Sequence, residues 1–87
     1  MANILIVDDS TYLRVMIKKI LKKLGHVVVA EANNGEEAIE AYRQHRPDLV
    51  TMDVVMPKLN GLMAVKKILQ LDSTARVIIV TALGHEP

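Results

Sequence analysis

The segment Asn3-Ile4-Leu5-Ile6-Val7 runs straight into Asp8-Asp9. A continuous aliphatic run without alternating polar positions is the pattern of a strand buried on both faces, as in a parallel sheet. Two carboxylates directly after it mark the point where the strand leaves the core. The arrangement recurs at Asp48-Leu49-Val50-Thr51-Met52-Asp53, a third strand in chain order that again ends in an acid. Val27 to Ala32 and Arg76 to Ala82 are rich in β-branched residues and read as the second and fourth strands.

Helical spacing fills the intervals. Ser10 or Thr11 can cap a helix whose apolar residues Leu13, Met16, Ile17, Ile20, Leu21 and Leu24 follow the i, i+3, i+4, i+7 pattern, with Gly25 as its stop. Asn34 and Glu37 stand at capping-box spacing before a second helix that runs to about Arg46, where Pro47 closes it. Met56-Pro57-Lys58-Leu59-Asn60-Gly61 is loop chemistry leading into a third helix, with Leu62, Val65, Ile68 and Leu69 expected to face inward. Strands alternating with helices across short joints specify an α/β domain with a parallel sheet and right-handed crossovers. No linker, repeat or low-complexity segment divides residues 1–87.

Composition narrows the function. The chain has 51% hydrophobic but only 2% aromatic residues, so the core must be aliphatic, with most of the methionines as filler. Tyr12 and Tyr42 fall on helices as surface or packing residues. Lys and Arg together number 11 against 10 Asp and Glu, which leaves no global field to draw the chain onto nucleic acid or a membrane. Lys18, Lys19, Lys22 and Lys23 at the end of the first helix read as a solvated face that suits the helix dipole. Without cysteine there is no disulfide, thiolate metal site or Cys nucleophile. His26, His45 and His85 are scattered without metal-site spacing. No apolar run approaches the ~20 residues of a membrane span, and no secretory leader is present, so a cytoplasmic protein is expected.

Ligands of open parallel sheets gather outside the carboxyl ends of the strands. Here those ends carry Asp8-Asp9, Asp53 and Thr81. If the first and third strands are neighbours, three carboxylates share one corner, and either their pKa values rise or a hard divalent cation sits among them. Oxygen-only ligands favour Mg²⁺ or Mn²⁺ over zinc. A carboxylate beside such an ion can attack phosphorus and form an aspartyl phosphate.

Together, Asp8-Asp9, Asp53, Met56-Pro57, Asn60-Gly61 and Thr81 resemble the receiver domain of two-component response regulators, of the single-domain chemotaxis type. The resemblance implies a doubly wound, flavodoxin-like fold with strand order 2-1-3-4. It implies Asp53 as the phosphoacceptor served by a histidine kinase, and Asp9 as the principal metal-ligating acid, with Asp8 helping to position the ion. The main-chain carbonyl of Val55 would complete the coordination, and Thr81 would hydrogen-bond the phosphoryl group and act as a switch. Receivers also catalyse their own phosphotransfer and dephosphorylation.

Complete receivers continue through a further helix, strand and helix, including a lysine that pairs with the phosphoryl group. Lys58 is not its equivalent. The expectation is therefore an incomplete receiver whose fourth strand is an uncovered edge, associating as a homo-oligomer or with a complementary fragment. Two other readings stand beside phosphotransfer. One is an inactive or assembly-prone receiver fragment that keeps the acid cluster. The other is a Mg²⁺-dependent phosphohydrolase of the haloacid-dehalogenase type, although Asp8-Asp9 lacks the two-residue separation that chemistry uses.

Overall fold

The computed structural model describes residues 1–53 and 61–80. Its elements are β1 (Asn3–Val7), α1 (Thr11–Lys23), β2 (Val27–Ala32), α2 (Gly35–His45), β3 (Leu49–Met52), α3 (Gly61–Leu71) and β4 (Val77–Ile79). The four strands are parallel in the order β2-β1-β3-β4, as expected. Val55, residues 56–60 and Thr81 lie outside the described residues.

β1 is central, and Ile4 to Val7 are all buried. Leu5 and Val7 join Val50 and Met52 of β3 in one core with Ala38 and Tyr42 of α2 and Ala64 and Ile68 of α3. Strand alternation sends Ile4 and Ile6 to the opposite face, where α1 packs chiefly on β1 and β2. The β1–β2 register shifts between Ile4 and Leu5, leaving one extra residue on β2.

The helix ends follow the sequence closely. Ser10 caps α1 by accepting a hydrogen bond from the Leu13 N–H at 3.2 Å. At the other end Gly25 has φ +87°, its N–H donates to the Lys22 carbonyl, and the His26 N–H donates to Leu21, a Schellman closure. The Asn34 side chain accepts from the Glu37 N–H at 2.8 Å, while Glu37 reaches back to the N–H of Asn33 rather than of Asn34. α2 ends without glycine. Arg46 takes the left-handed conformation itself, φ 42°, ahead of buried Pro47.

Two expectations need correction. Leu62 and Leu69 of α3 point outward, 65% and 41% exposed, whereas Ala64 and Ile68 are fully buried. Gly61, Ala64 and Ile68 form the inner line, and the small residues on it let the helix lie close to the sheet. Among the described methionines beyond the first residue only Met52 fills the core, since Met16 and Met63 are more than two-fifths exposed. Of the two roles read for Tyr42 the structure shows packing: it is buried in the core, and its hydroxyl donates to Asp72 Oδ2 at 2.7 Å.

That last contact joins α2 to the turn after α3 and is sensitive to pH at both extremes. Burial, then the hydrogen bond to Asp72 and its charge, push the Tyr42 phenol up to about 12. Hydrogen bonds from the Thr74 hydroxyl, the Tyr42 hydroxyl and the Thr74 N–H bring Asp72 down to about 2. The phenol's share of stability is therefore complete below its ordinary pKa of 10 and lost as pH rises through about 12. The carboxylate's share is complete above 3.8 and lost as pH falls through about 2.

Tyr42→Phe should lower the unfolding midpoint, flatten its alkaline decline, and let Asp72 titrate closer to an ordinary carboxylate by NMR. In denaturant unfolding, Ile68→Ala should cost about 2–5 kcal/mol, whereas Leu62→Ala should stay within about 0.5 kcal/mol. Equal losses at the two positions would contradict the observed face of α3.

Candidate functional site

The strand order puts the carboxyl ends of β1 and β3 side by side. The Asp8 N–H donates to the Ala32 carbonyl of β2 at 3.0 Å, and the Asp53 N–H donates to the Val7 carbonyl of β1 at 2.9 Å. Both acids are thus held by ladder bonds one residue beyond their strands. Asp8 and Asp53 are buried, 2% and 7% exposed, while Asp9 faces solvent. One carboxylate oxygen from each of the three lies within 4.8 Å of the others.

Such crowding has an electrostatic consequence. Two carboxylates about 5 Å apart repel by roughly 3 kcal/mol at an effective dielectric near 20. Burial raises the Asp8 pKa above its ordinary 3.8; the nearby charges of Asp53 and Asp9 push the same way, against a hydrogen bond from the Ser10 N–H and the charge of Arg14. The Ser10 N–H bonds Asp8 Oδ1 at 2.9 Å and so fixes one oxygen of that carboxylate. An all-oxygen set of three converging acids is the donor chemistry of a hard divalent cation.

The chain as a whole is matched across known proteins. The model of the response regulator receiver domain matches residues 4–87. The chain belongs to the response regulator receiver domain family. This receiver is 54% identical over 84 residues to the chemotaxis protein CheY of Bacillus subtilis, an alignment covering 97% of this chain and 70% of that protein. Against the Thermotoga maritima CheY the identity is 46%, with the same shares. Among solved structures, the CheX–CheY complex of Borrelia burgdorferi with BeF3 and Mg²⁺ superposes with a TM-score of 0.91 at 40% identity, covering 97% of this chain and 64% of that one. The response regulator domain of Thermotoga maritima CheB gives 0.87 at 40% identity, covering 97% and 63%. The receiver thus spans somewhat less than two thirds of these two solved chains.

Of the residues singled out from the sequence, Asp8, Asp9 and Asp53 are brought together. Val55, Lys58, Thr81 and His85 lie outside the described residues. His45 is exposed, and His26 accepts a hydrogen bond from the Ala2 N–H, a structural contact away from the acids. Among the described residues no helix is long and apolar enough to cross a membrane.

Arg14 was missed by sequence reading. Its guanidinium donates to the Asp8 main-chain carbonyl at 2.6 Å. The available signal was a cation near the start of a helix, where the macrodipole disfavours positive charge unless a specific acceptor is nearby.

Asp8→Asn keeps an acceptor for Ser10 and removes one of the three charges. The metal-free chain at neutral pH should become more stable, by up to about 2 kcal/mol. Because the Asp8 pKa is raised, its share of stability is complete below 3.8 and lost as pH rises through the raised value. The variant should therefore lose part of the parent's gain in stability on mild acidification, measured as denaturant midpoints against pH.

Proposed function

We propose that this receiver accepts a phosphoryl group from a histidine kinase onto Asp53, with Mg²⁺ held by Asp8, Asp9 and Asp53, as a step in chemotaxis-type two-component signalling. The convergence of three carboxylates, two of them buried, at the ends of adjacent parallel strands carries this reading. The names of the chemotaxis relatives and the BeF3 and Mg²⁺ in the Borrelia complex support it.

In the proposed transfer an oxygen of Asp53 forms the new O–P bond as the P–N bond of the donor phosphohistidine breaks. The electron pair returns to the imidazole nitrogen, which takes up a proton from solvent. Bound Mg²⁺ would neutralise charge on the transferring phosphoryl oxygens. A carboxylate nucleophile has no proton to lose on attack, so the step calls for no general base. The main-chain bond of Asp53 to Val7 keeps the nucleophile fixed while its side chain reacts. Asp8 and Asp9 would hold the ion, Asp8 oriented by the Ser10 N–H. The Val55 carbonyl is assigned to the ion and the Thr81 hydroxyl to the phosphoryl group and the ensuing switch.

A second reading is favoured by β4, the last strand of the described sheet, where Ile78 and Ile79 are 50% and 45% exposed. In it the chain associates through that edge, as a homo-oligomer or with a complementary segment. Sedimentation should then show a concentration-dependent species larger than the monomer.

The deciding experiment is the intact mass after incubation with Mg²⁺ and an acyl phosphate, with Asp53→Asn alongside. The expected result is one phosphoryl adduct that requires both Mg²⁺ and Asp53. No adduct under conditions where a full-length receiver is modified, or an adduct that persists in Asp53→Asn, would overturn the assignment. Saturating Mg²⁺ should also stabilise the fold, by about 2.7 kcal/mol at a hundredfold excess over its Kd.

A further inference from the structure

Arg14 lies on α1, one turn beyond the acidic pair, and is among the least exposed cations of the described residues, its side chain 15% accessible. Three different acceptors take its three nitrogens. Nη1 donates to the Asp8 carbonyl at 2.6 Å, Nη2 to Thr11 Oγ1 at 3.2 Å, and Nε to Glu31 Oε1 at 3.2 Å. Glu31 is itself held by Lys18 at 3.2 Å through its other oxygen, and it immediately precedes Ala32, whose carbonyl accepts the Asp8 N–H. Asp8 is therefore fixed by β2 at its nitrogen and by Arg14 at its carbonyl.

That carbonyl belongs to the peptide joining Asp8 to Asp9. A peptide unit is planar, so fixing its oxygen fixes its plane and, with it, the direction in which Asp9 leaves the strand. Asp9 is the exposed member of the cluster, so burial does less to aim its side chain than it does for Asp8 and Asp53. A planar guanidinium with several donors in a fixed fork suits this task in a way that an ammonium does not.

We infer that Arg14 is a positioning residue of the metal corner: oriented by Glu31, it clamps the Asp8–Asp9 peptide so that the Asp9 carboxylate converges with those of Asp8 and Asp53. The inference rests on the proposed Mg²⁺ site for its role, but not for its geometry. It also runs against simple electrostatics. A cation beside a cation site weakens metal binding through charge alone, so deleting Arg14 would tighten Mg²⁺ binding if charge were its whole contribution. A clamp gives the opposite sign.

The test compares the parent chain with Arg14→Gln, Arg14→Lys and Glu31→Gln in two readouts. These are Mg²⁺ affinity by calorimetry and, without metal, the hydrogen-exchange rate of the Ser10 amide, which bonds Asp8 Oδ1. Arg14→Gln should bind Mg²⁺ about tenfold more weakly, the usual scale for outer contacts that orient ligands. Its Ser10 amide should exchange faster, relative to amides in the centre of β1. Arg14→Lys, which keeps the charge but loses the fork, should fall between it and the parent. Glu31→Gln, which leaves the contacts to Asp8 and Thr11 in place, should show a smaller change in the same direction and serves if Arg14→Gln does not fold. Equal or tighter Mg²⁺ binding on loss of the guanidinium, or unchanged Ser10 exchange, would overturn the clamp. A parent chain that binds no Mg²⁺ would overturn the metal reading instead, and Ser10 exchange alone would then decide whether the clamp exists.

Discussion

The pairing of β1 with both β2 and β3 is the constraint on which the rest depends. A strand that is central and buried on both faces must be apolar along its length, which Ile4 to Val7 satisfy. Its last carbonyl, that of Val7, accepts the Asp53 N–H, and the next residue's N–H bonds Ala32. Two ladder bonds thus place two carboxylates, and the third follows Asp8 directly along the chain. The site is an extension of the sheet's hydrogen bonding rather than a loop feature added to it. Its precision is inherited from the core, where Leu5, Val7, Val50 and Met52 are almost completely buried.

The same economy of placement creates the electrostatic tension. A hydrophobic strand leaves its terminal acid partly inside the apolar boundary, and the neighbouring strand does the same. Asp8 and Asp53 are consequently buried near like charge, in an arrangement that a fold selected for stability alone would avoid. The compensations within the chain are local. The Ser10 N–H faces one oxygen of Asp8, and Arg14 contributes positive charge from the α1 side. These reduce the repulsion but leave the proton affinity of Asp8 raised, which is the condition of a site still able to gain from a cation.

Sequence patterns carried most of the topology and the acid triad because both depend on local rules. An unbroken aliphatic run, a serine cap, an asparagine–glutamate pair and a glycine stop each have a short-range physical cause, and each stands where its pattern lies. The failures arise where a tertiary contact outweighs the local signal. α3 is apolar on several sides, so periodicity alone could not tell the line through Ala64 and Ile68 from the one through Leu62 and Leu69. The packing role of Tyr42 was legible, but its acceptor Asp72, thirty residues away, was not. Arg46 ends α2 in a left-handed conformation that normally signals glycine, with its guanidinium 5.7 Å over the Tyr42 ring and 3.8 Å from Asp72. Arg14 belongs to the same class, since nothing in its neighbours along the chain names Glu31 or the Asp8 carbonyl as its partner.

The two faces of the sheet are unequally covered, and the inequality has a pattern. α2 and α3 close one face into a continuous core, while on the other α1 packs chiefly on β1 and β2. Arg14 and Lys18 both reach Glu31, which ties α1 to the β2 side and draws it away from β3 and β4. On that less covered side Thr51 of β3 keeps a buried hydroxyl without a hydrogen-bond partner among the described residues, and Ile78, its register neighbour on β4, is half exposed. The acids lie at the border between the two regions. Asp8 is secured from the well-covered side, by Ala32 and Arg14, and Asp53 by the central strand itself. The main-chain anchors of both therefore run to β1 and β2, so the geometry of the pair depends on the best-packed part of the sheet and little on how the β4 edge is covered.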